Sequence, residues 1–153
     1  MTKDTPNKAM AKFLEAAAHF PEGGAKAVDD AVAQLMLQPD KCFIGPLLMT
    51  LDDSFEEDGA MFSLIHAAEQ FDDNVYIDEM LAILPQFCAG APKWASIAFM
   101  RCLNNAEMKN YMVKAIRQSS IEIKEAVIWL CNKINERNPI FLNKTLLVLL
   151  SAK

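Results

Sequence analysis

Apolar residues recur along the chain at intervals of three and four, and this spacing predicts helices almost throughout. The clearest case is Met61, Leu64, Ile65 and Ala68, which lie at i, i+3, i+4 and i+7 and would share one face of a helix. No stretch of useful length alternates apolar and polar residues as a half-buried strand would. The pattern therefore predicts an all-α protein.

Proline, glycine and capping residues divide this pattern into about nine helices. The predicted helices lie between Thr5 and Pro21, over 25–37, 41–51, 59–70, 75–90 and 92–103, after Asn105 to about 118, from 119 or 120 to 137, and after Pro139. Gly45 and Pro46 fall inside the third of them, and a proline there predicts a kink or a split element.

Helix-turn-helix pairs recur with a period of about 30 residues from the fourth helix onward, and this predicts an irregular HEAT-like α-solenoid. A closed helical bundle is the alternative. A chain of 153 residues can bury a core of its own, so we expect a single all-helical domain over residues 1–153.

Charge is distributed unevenly, because no Lys or Arg occurs between Lys41 and Lys93. The acids of this window are Asp52, Asp53, Glu56, Glu57, Asp58, Glu69, Asp72, Asp73, Asp78 and Glu79. Residues 42–92 thus carry a formal charge of −10, whereas the whole chain carries −5. A strongly anionic region steers a cationic partner toward it, so the window predicts a docking surface. The alternative is an ordinary solvated face.

Composition argues against several classes of partner. A pI near 5.0 disfavours nucleic acid and anionic lipid as direct ligands. The N-terminus lacks an apolar signal segment, and no apolar run approaches the roughly 20 residues that span a bilayer, so we expect a cytoplasmic protein. The four cysteines are widely spaced, which favours reduced thiols.

Catalytic and metal-binding patterns are weak. His66 and Glu69 form an H-x-x-E pair, but no second pair with metal-ligand spacing accompanies it. Arg101 shares the face of an apolar helix with Trp94, and a charge there needs a partner. We therefore predict a structural cluster of His66, Glu69, Trp94 and Arg101, with no catalytic residue, no metal and no cofactor.

One stretch also resembles a known family. The segments MFSLIHAAEQFDDNVYIDEMLAILPQF and APKWASIAFMRCLN are similar to immunity proteins of bacterial polymorphic toxin systems, in the all-helical group classed as immunity protein family thirty. The resemblance lies in Phe62, Ser63, His66, Glu69, Tyr76, Leu84, Pro85, Pro92, Trp94, Ala95, Arg101, Leu103 and Asn104. It implies a cytoplasmic protein that neutralises a toxin domain, often a nuclease delivered by contact-dependent growth inhibition or a related system.

Combined with the acidic window, the resemblance predicts where the toxin binds. The predicted contacts are Phe55, Glu56, Glu57, Asp58, Asp72, Asp73, Tyr76, Asp78 and Glu79. Phe55 and Tyr76 are the expected aromatic anchors, because buried aromatic residues inside a polar rim dominate many interfaces. The partner is expected to be a basic C-terminal toxin domain. The main alternative is a HEAT-like adaptor without a toxin partner, and a further one is an enzyme or metal protein that uses His66, Glu69 and the acidic turns.

Overall fold

The computed structural model describes residues 6–20, 22, 24–54 and 58–153, with only the backbone described for residues 6, 7 and 58. This part of the chain holds nine α-helices and no strand, so the all-α prediction is confirmed. The helices are α1 (Pro6–Ala18), α2 (Ala25–Leu35), α3 (Ile44–Met49), α4 (Asp58–Glu69), α5 (Asp73–Gly90), α6 (Pro92–Leu103), α7 (Ala106–Arg117), α8 (Ile121–Arg137) and α9 (Leu142–Ser151).

The third predicted helix is split, as the proline inside it suggested. A 3-10 turn at Lys41–Phe43 leads into the six residues of α3. Pro46 occupies the first turn of α3, where a backbone N–H would have no partner within the helix, so its missing donor costs little there. Pro85, by contrast, lies inside the 18-residue α5.

Helix α5 is the central element of the fold. It packs against α3, α4, α6, α7 and α8. Its buried side chains are Tyr76, Ile77, Met80, Leu81, Leu84, Phe87 and Cys88. Because α5 contacts helices from both halves of the sequence, it places the acidic window and the basic C-terminal part of the chain on one core.

Most of the principal contacts join helices that are one or two apart in the chain. Such contacts occur between α1 and α2, α2 and α4, α3 and α5, α6 and α8, and α7 and α9. Helices α5 and α8 are three apart in the chain, and their contact departs from this order. The HEAT-like solenoid therefore stays a prediction, whereas the all-α class is confirmed.

On α1 the side chain of Phe13 is buried, whereas that of Leu14 is 49% exposed. Helix α8 begins after Ser120, whose hydroxyl caps it by accepting a hydrogen bond from the amide of Ile123. The core itself is one hydrophobic cluster whose described members extend from Ala9 to Ala152.

Candidate partner-binding surface

Side-chain contacts join α4 and the residues just before it to both ends of α6. Two long-range contacts fix this arrangement: Asp53, just before α4, bonds the start of α6, and Glu69, at the end of α4, bonds Arg101 in the last turn of α6. We call this contact zone the α4–α6 seam. It joins the acidic window to the basic C-terminal part of the chain.

Asp53 caps α6 from a distance of 40 residues along the sequence. One carboxylate oxygen accepts from the amide of Lys93 at 2.8 Å, and the other accepts from the amide of Trp94 at 3.2 Å. The residue at the N-cap position itself is Ala91, which has no side chain that could do this. An uncapped Ala-Pro start was the available signal for a distant cap, but the sequence analysis counted Asp53 only among the acids of the window.

Arg101 binds Glu69 in the expected pair. The guanidinium donates two parallel hydrogen bonds, from Nε to Oε2 at 2.9 Å and from a terminal nitrogen to Oε1 at 2.8 Å. The side chains are 38% and 25% exposed, so the pair lies at the edge of the core rather than inside it. The hydrogen bonds from Arg101 to Glu69 raise the pKa of the arginine, which stays charged.

His66 does not complete the expected cluster. It is exposed, and in the described part of the chain it makes no hydrogen bond to Glu69 or Arg101. Its ring lies beside that of Phe62, with the centroids 6.2 Å apart. Phe62 also packs edge-on against Trp94 at 5.2 Å and lies 6.0 Å from the guanidinium of Arg101. Phe62, rather than His66, therefore connects α4 to Trp94 and Arg101 of α6.

Tyr76 cannot be the exposed anchor that the sequence suggested, because its side chain is only 1% exposed. It lies on the inner face of α5, and burial raises the pKa of its hydroxyl well above the ordinary value. Neither its hydroxyl nor the indole nitrogen of Trp94 has a hydrogen-bond partner among the described residues. Tyr76 is a core residue, which the helical spacing of Tyr76, Ile77 and Met80 could have indicated.

The acidic turn, residues 70–73, joins α4 to α5 and differs from the seam. Asp72 and Asp73 are both exposed, and their carboxylates make no hydrogen bond or ion pair with the described residues. Asp72 occupies the N-cap position of α5 without using its side chain to cap. The positive end of the helix dipole partly compensates the two charges. They remain available to a cation from outside.

Asp78 and Glu79 point toward different neighbours of α5. Asp78 is exposed and accepts a hydrogen bond from the hydroxyl of Tyr111 on α7, at 2.8 Å to Oδ1 and 2.9 Å to Oδ2. This bond raises the pKa of Tyr111. Glu79 is half-buried and lies near Cys42, beside the 3-10 turn that precedes α3.

The described acids of the window are distributed over both ends of α4 and the first turns of α5. Residues 52 and 53 precede α4, whereas Asp72 and Asp73 follow it, and the 12 residues of α4 separate the two groups by about 18 Å. Phe55, Glu56 and Glu57 lie outside the described residues, as does the side chain of Asp58. Their predicted contact role stays a prediction.

Reactive and metal-binding groups are sparse in the part that the structure describes. Burial raises the pKa of Cys88, Cys102 and Cys131 to about 12, so these thiols are protonated and unreactive at neutral pH. Cys42 is exposed. Among the described residues no group of three or more His, Cys, Asp or Glu side chains could hold a metal ion. None of the described helices combines the length and the apolar character needed to cross a membrane.

Comparison with known proteins identifies the family. The model of the family Immunity protein 30 matches residues 21–112, which is more than half of the chain and runs from before α2 into α7. No match was found among curated proteins or among solved structures. The matched region contains the seam and the acidic turn. The chain therefore belongs to the Immunity protein 30 family and is an immunity protein for a toxin.

Proposed function

We propose that this immunity protein neutralises its toxin by binding a basic, nuclease-type toxin domain through an acidic surface that includes the acidic turn. The observation that carries the proposal is the state of Asp72 and Asp73. They are adjacent and exposed, and they have no ion pair among the described residues. In contrast, Asp53 and Glu69 of the same window are bonded within the fold.

Charge complementarity connects this turn to a nuclease. A nuclease cleft carries Lys and Arg side chains that hold phosphates. Carboxylates that meet those cations replace the phosphates and exclude the nucleic acid. Long-range attraction between the two surfaces would also accelerate encounter, which matters for a protein that must intercept a toxin before it acts. A toxin delivered by contact-dependent inhibition or a related secretion system would be met in the cytoplasm.

The other predicted acids extend the surface in two directions. Asp78 and Glu79 lie within two turns of Asp73 on α5, and Asp78 keeps an exposed carboxylate while it accepts from Tyr111. Phe55, Glu56, Glu57 and Asp58 stay proposed contacts on the strength of the sequence alone. Tyr76 is no longer proposed as a contact, since it is buried.

The test is charge reversal of the turn. The variant Asp72→Lys/Asp73→Lys is compared with Glu122→Lys/Glu125→Lys, which changes the net charge equally. Glu122 and Glu125 are exposed and lie beside the C-terminal half of α5, with Pro85, Cys88 and Ala89. They are about 20 Å from the acidic turn, given the rise of a helix. Stopped-flow association with the cognate toxin domain is the readout, at low and high salt.

We expect reversal of the turn to slow association about tenfold or more, and the control reversal to slow it much less. The rate of the wild-type protein should fall with added salt, and that of the turn variant should not. Nucleic acid cleavage by the toxin should persist in the presence of the turn variant at concentrations where the control variant stops it. Equal association rates for the two variants would overturn the proposal.

A further inference from the structure

A groove with a charge opposite to that of the acidic turn lies between α6 and α8. It has a volume of about 460 Å³ and is also lined by Phe141, just before α9, and by Lys144 in α9. This volume is within the range of about 300–1,000 Å³ that is usual for ligand-binding clefts. The groove is unexpected in a protein of net charge −5, because no acid is among the described residues that line it.

Four cations line the groove. Arg101 comes from α6, Lys133 and Arg137 come from α8, and Lys144 comes from α9. Two of them are engaged by neighbours, since Arg101 binds Glu69 and Lys144 donates to the side-chain oxygen of Asn104. Lys133 has a loose contact with Glu136 at 3.7 Å, with both side chains largely exposed, and its ammonium group lies 5.7 Å from the centroid of the Trp129 ring. The guanidinium of Arg137 makes no hydrogen bond or ion pair with the described residues.

The other lining side chains are largely apolar. Ile97 and Met100 come from α6, Ile134 comes from α8, and Phe141 lies just before α9. Ile134 is buried, while the other three are half-buried and pack on the core cluster. An apolar lining beneath separate cations suits a ligand that brings both carboxylates and an apolar group.

We infer that this groove binds an acidic segment of the toxin that also carries an apolar side chain. The cations come from three helices, and Lys133 and Arg137 are one helical turn apart, about 6 Å along α8. Charges distributed in this way match carboxylates spaced along a chain better than they match a single anionic head group. The identity of the partner rests on the proposed function, in which the toxin binds this protein directly.

One ion pair of the seam connects the groove with the acidic turn. Glu69 immediately precedes the turn, and its partner Arg101 lines the groove. One partner can therefore contact both surfaces, with its basic part on the turn and its acidic part in the groove. A pair of oppositely charged sites fixes the orientation of the partner and rejects partners that have the same charges in reverse order.

The experiment compares Lys133→Glu/Arg137→Glu with the matched control Arg117→Glu/Lys124→Glu, in which one Arg and one Lys outside the groove are reversed. The groove variant should weaken the affinity for the cognate toxin domain about tenfold or more, and the control should change it by less than about threefold. An affinity that is the same for both variants would overturn the inference.

A toxin-independent probe separates the failure of this inference from the failure of the proposed function. The probe is a fluorescein-labelled peptide of Glu residues with one central Phe, and a peptide with Lys in place of Glu is its control. Wild-type protein should bind the acidic peptide and not the basic one, and Lys133→Glu/Arg137→Glu should abolish that binding. Reversal of Asp72 and Asp73 should leave peptide binding intact. If the toxin does not bind at all, the proposed function fails, but the peptide experiment still tests whether the groove binds an acidic segment. Failure of the wild-type protein to bind the acidic peptide would overturn the inference.

Discussion

The α4–α6 seam and the acidic turn use the same residue types for different purposes. At the seam, Asp53 and Glu69 each accept two hydrogen bonds from α6, and both are partly buried. At the turn, Asp72 and Asp73 are exposed and bond none of the described residues through their side chains. Glu69 and Asp72 are only three residues apart in the chain. The difference lies in what the neighbouring helix presents to each carboxylate.

This contrast separates acids that hold the fold together from acids that are available to a partner. The start of α6 offers unpaired amides to Asp53, and its last turn offers Arg101 to Glu69. The start of α5 offers its dipole to Asp72 and Asp73 without a direct bond. We therefore expect changes to Asp53 and Glu69 to lower stability, with little effect on toxin association, and changes to Asp72 and Asp73 to do the reverse.

The largest effect on stability is expected when the ion pair of the seam is broken. Glu69→Ala removes both acceptors of a charge-assisted, bidentate pair that is partly exposed. We expect the free energy of unfolding to fall by about 2 kcal/mol, because bonds to charged groups contribute more than neutral ones and solvent screening reduces that contribution. Urea denaturation followed by circular dichroism measures the change.

Two comparisons make that prediction specific. Arg101→Ala combined with Glu69→Ala should cost clearly less than the sum of the single changes, since both remove the same interaction. Glu122→Ala is the matched control, because Glu122 is exposed and has no ion pair in the described part of the chain. Additive single changes, or an equal loss in the control, would show that the pair does not stabilise the seam.

The helices of the seam could be predicted from the sequence, but the seam itself could not. The predicted bounds 92–103 agree with those of α6, and Met61, Leu64, Ile65 and Ala68 are all buried, because helical periodicity and proline positions act over a few residues. The partner of Asp53 is 40 residues away, and only tertiary packing brings it there. For the same reason a count of acids in the window could not separate Asp53 from Asp72. Among the predicted contacts Tyr76 was wrong, although its spacing with Ile77 and Met80 fits the buried face of α5.

Loss of the cap of α6 is expected to have an intermediate effect on the free energy of unfolding. Asp53→Ala removes the acceptor for the amides of Lys93 and Trp94, and loss of a cap costs about 1 kcal/mol. Asp53→Asn should retain most of that stability, since an amide oxygen still accepts a hydrogen bond. Asp52→Ala is the local control, because among the residues that the structure describes Asp52 bonds only Ser54, in its own loop. Thermal unfolding of the three variants measures the order of their stabilities. A loss of stability in Asp52→Ala as large as that in Asp53→Ala would refute the capping role.

The smallest change in stability is expected for a substitution of Tyr76, which lies in the core beneath the acidic turn. Its buried hydroxyl has no partner among the described residues, so Tyr76→Phe should leave the free energy of unfolding unchanged or raise it by about 1 kcal/mol. The effect should depend on pH in one direction. Burial raises the pKa of Tyr76 well above its ordinary value of 10.0, so the folded protein retains a proton that the unfolded chain releases.

The sign of that pH dependence follows from proton binding. The contribution of Tyr76 to stability is complete below pH 10.0, the ordinary value, and is lost as the pH rises above it, because the unfolded state then binds fewer protons than the folded state. The advantage of Tyr76→Phe over the wild-type protein should therefore grow as the pH increases beyond that value. Urea denaturation at neutral and alkaline pH measures this difference, and toxin association at neutral pH should be the same for both proteins. A loss of toxin binding in Tyr76→Phe with unchanged stability would place Tyr76 back among the contacts and would remove the distinction between a buried core under the turn and an exposed charged surface on it.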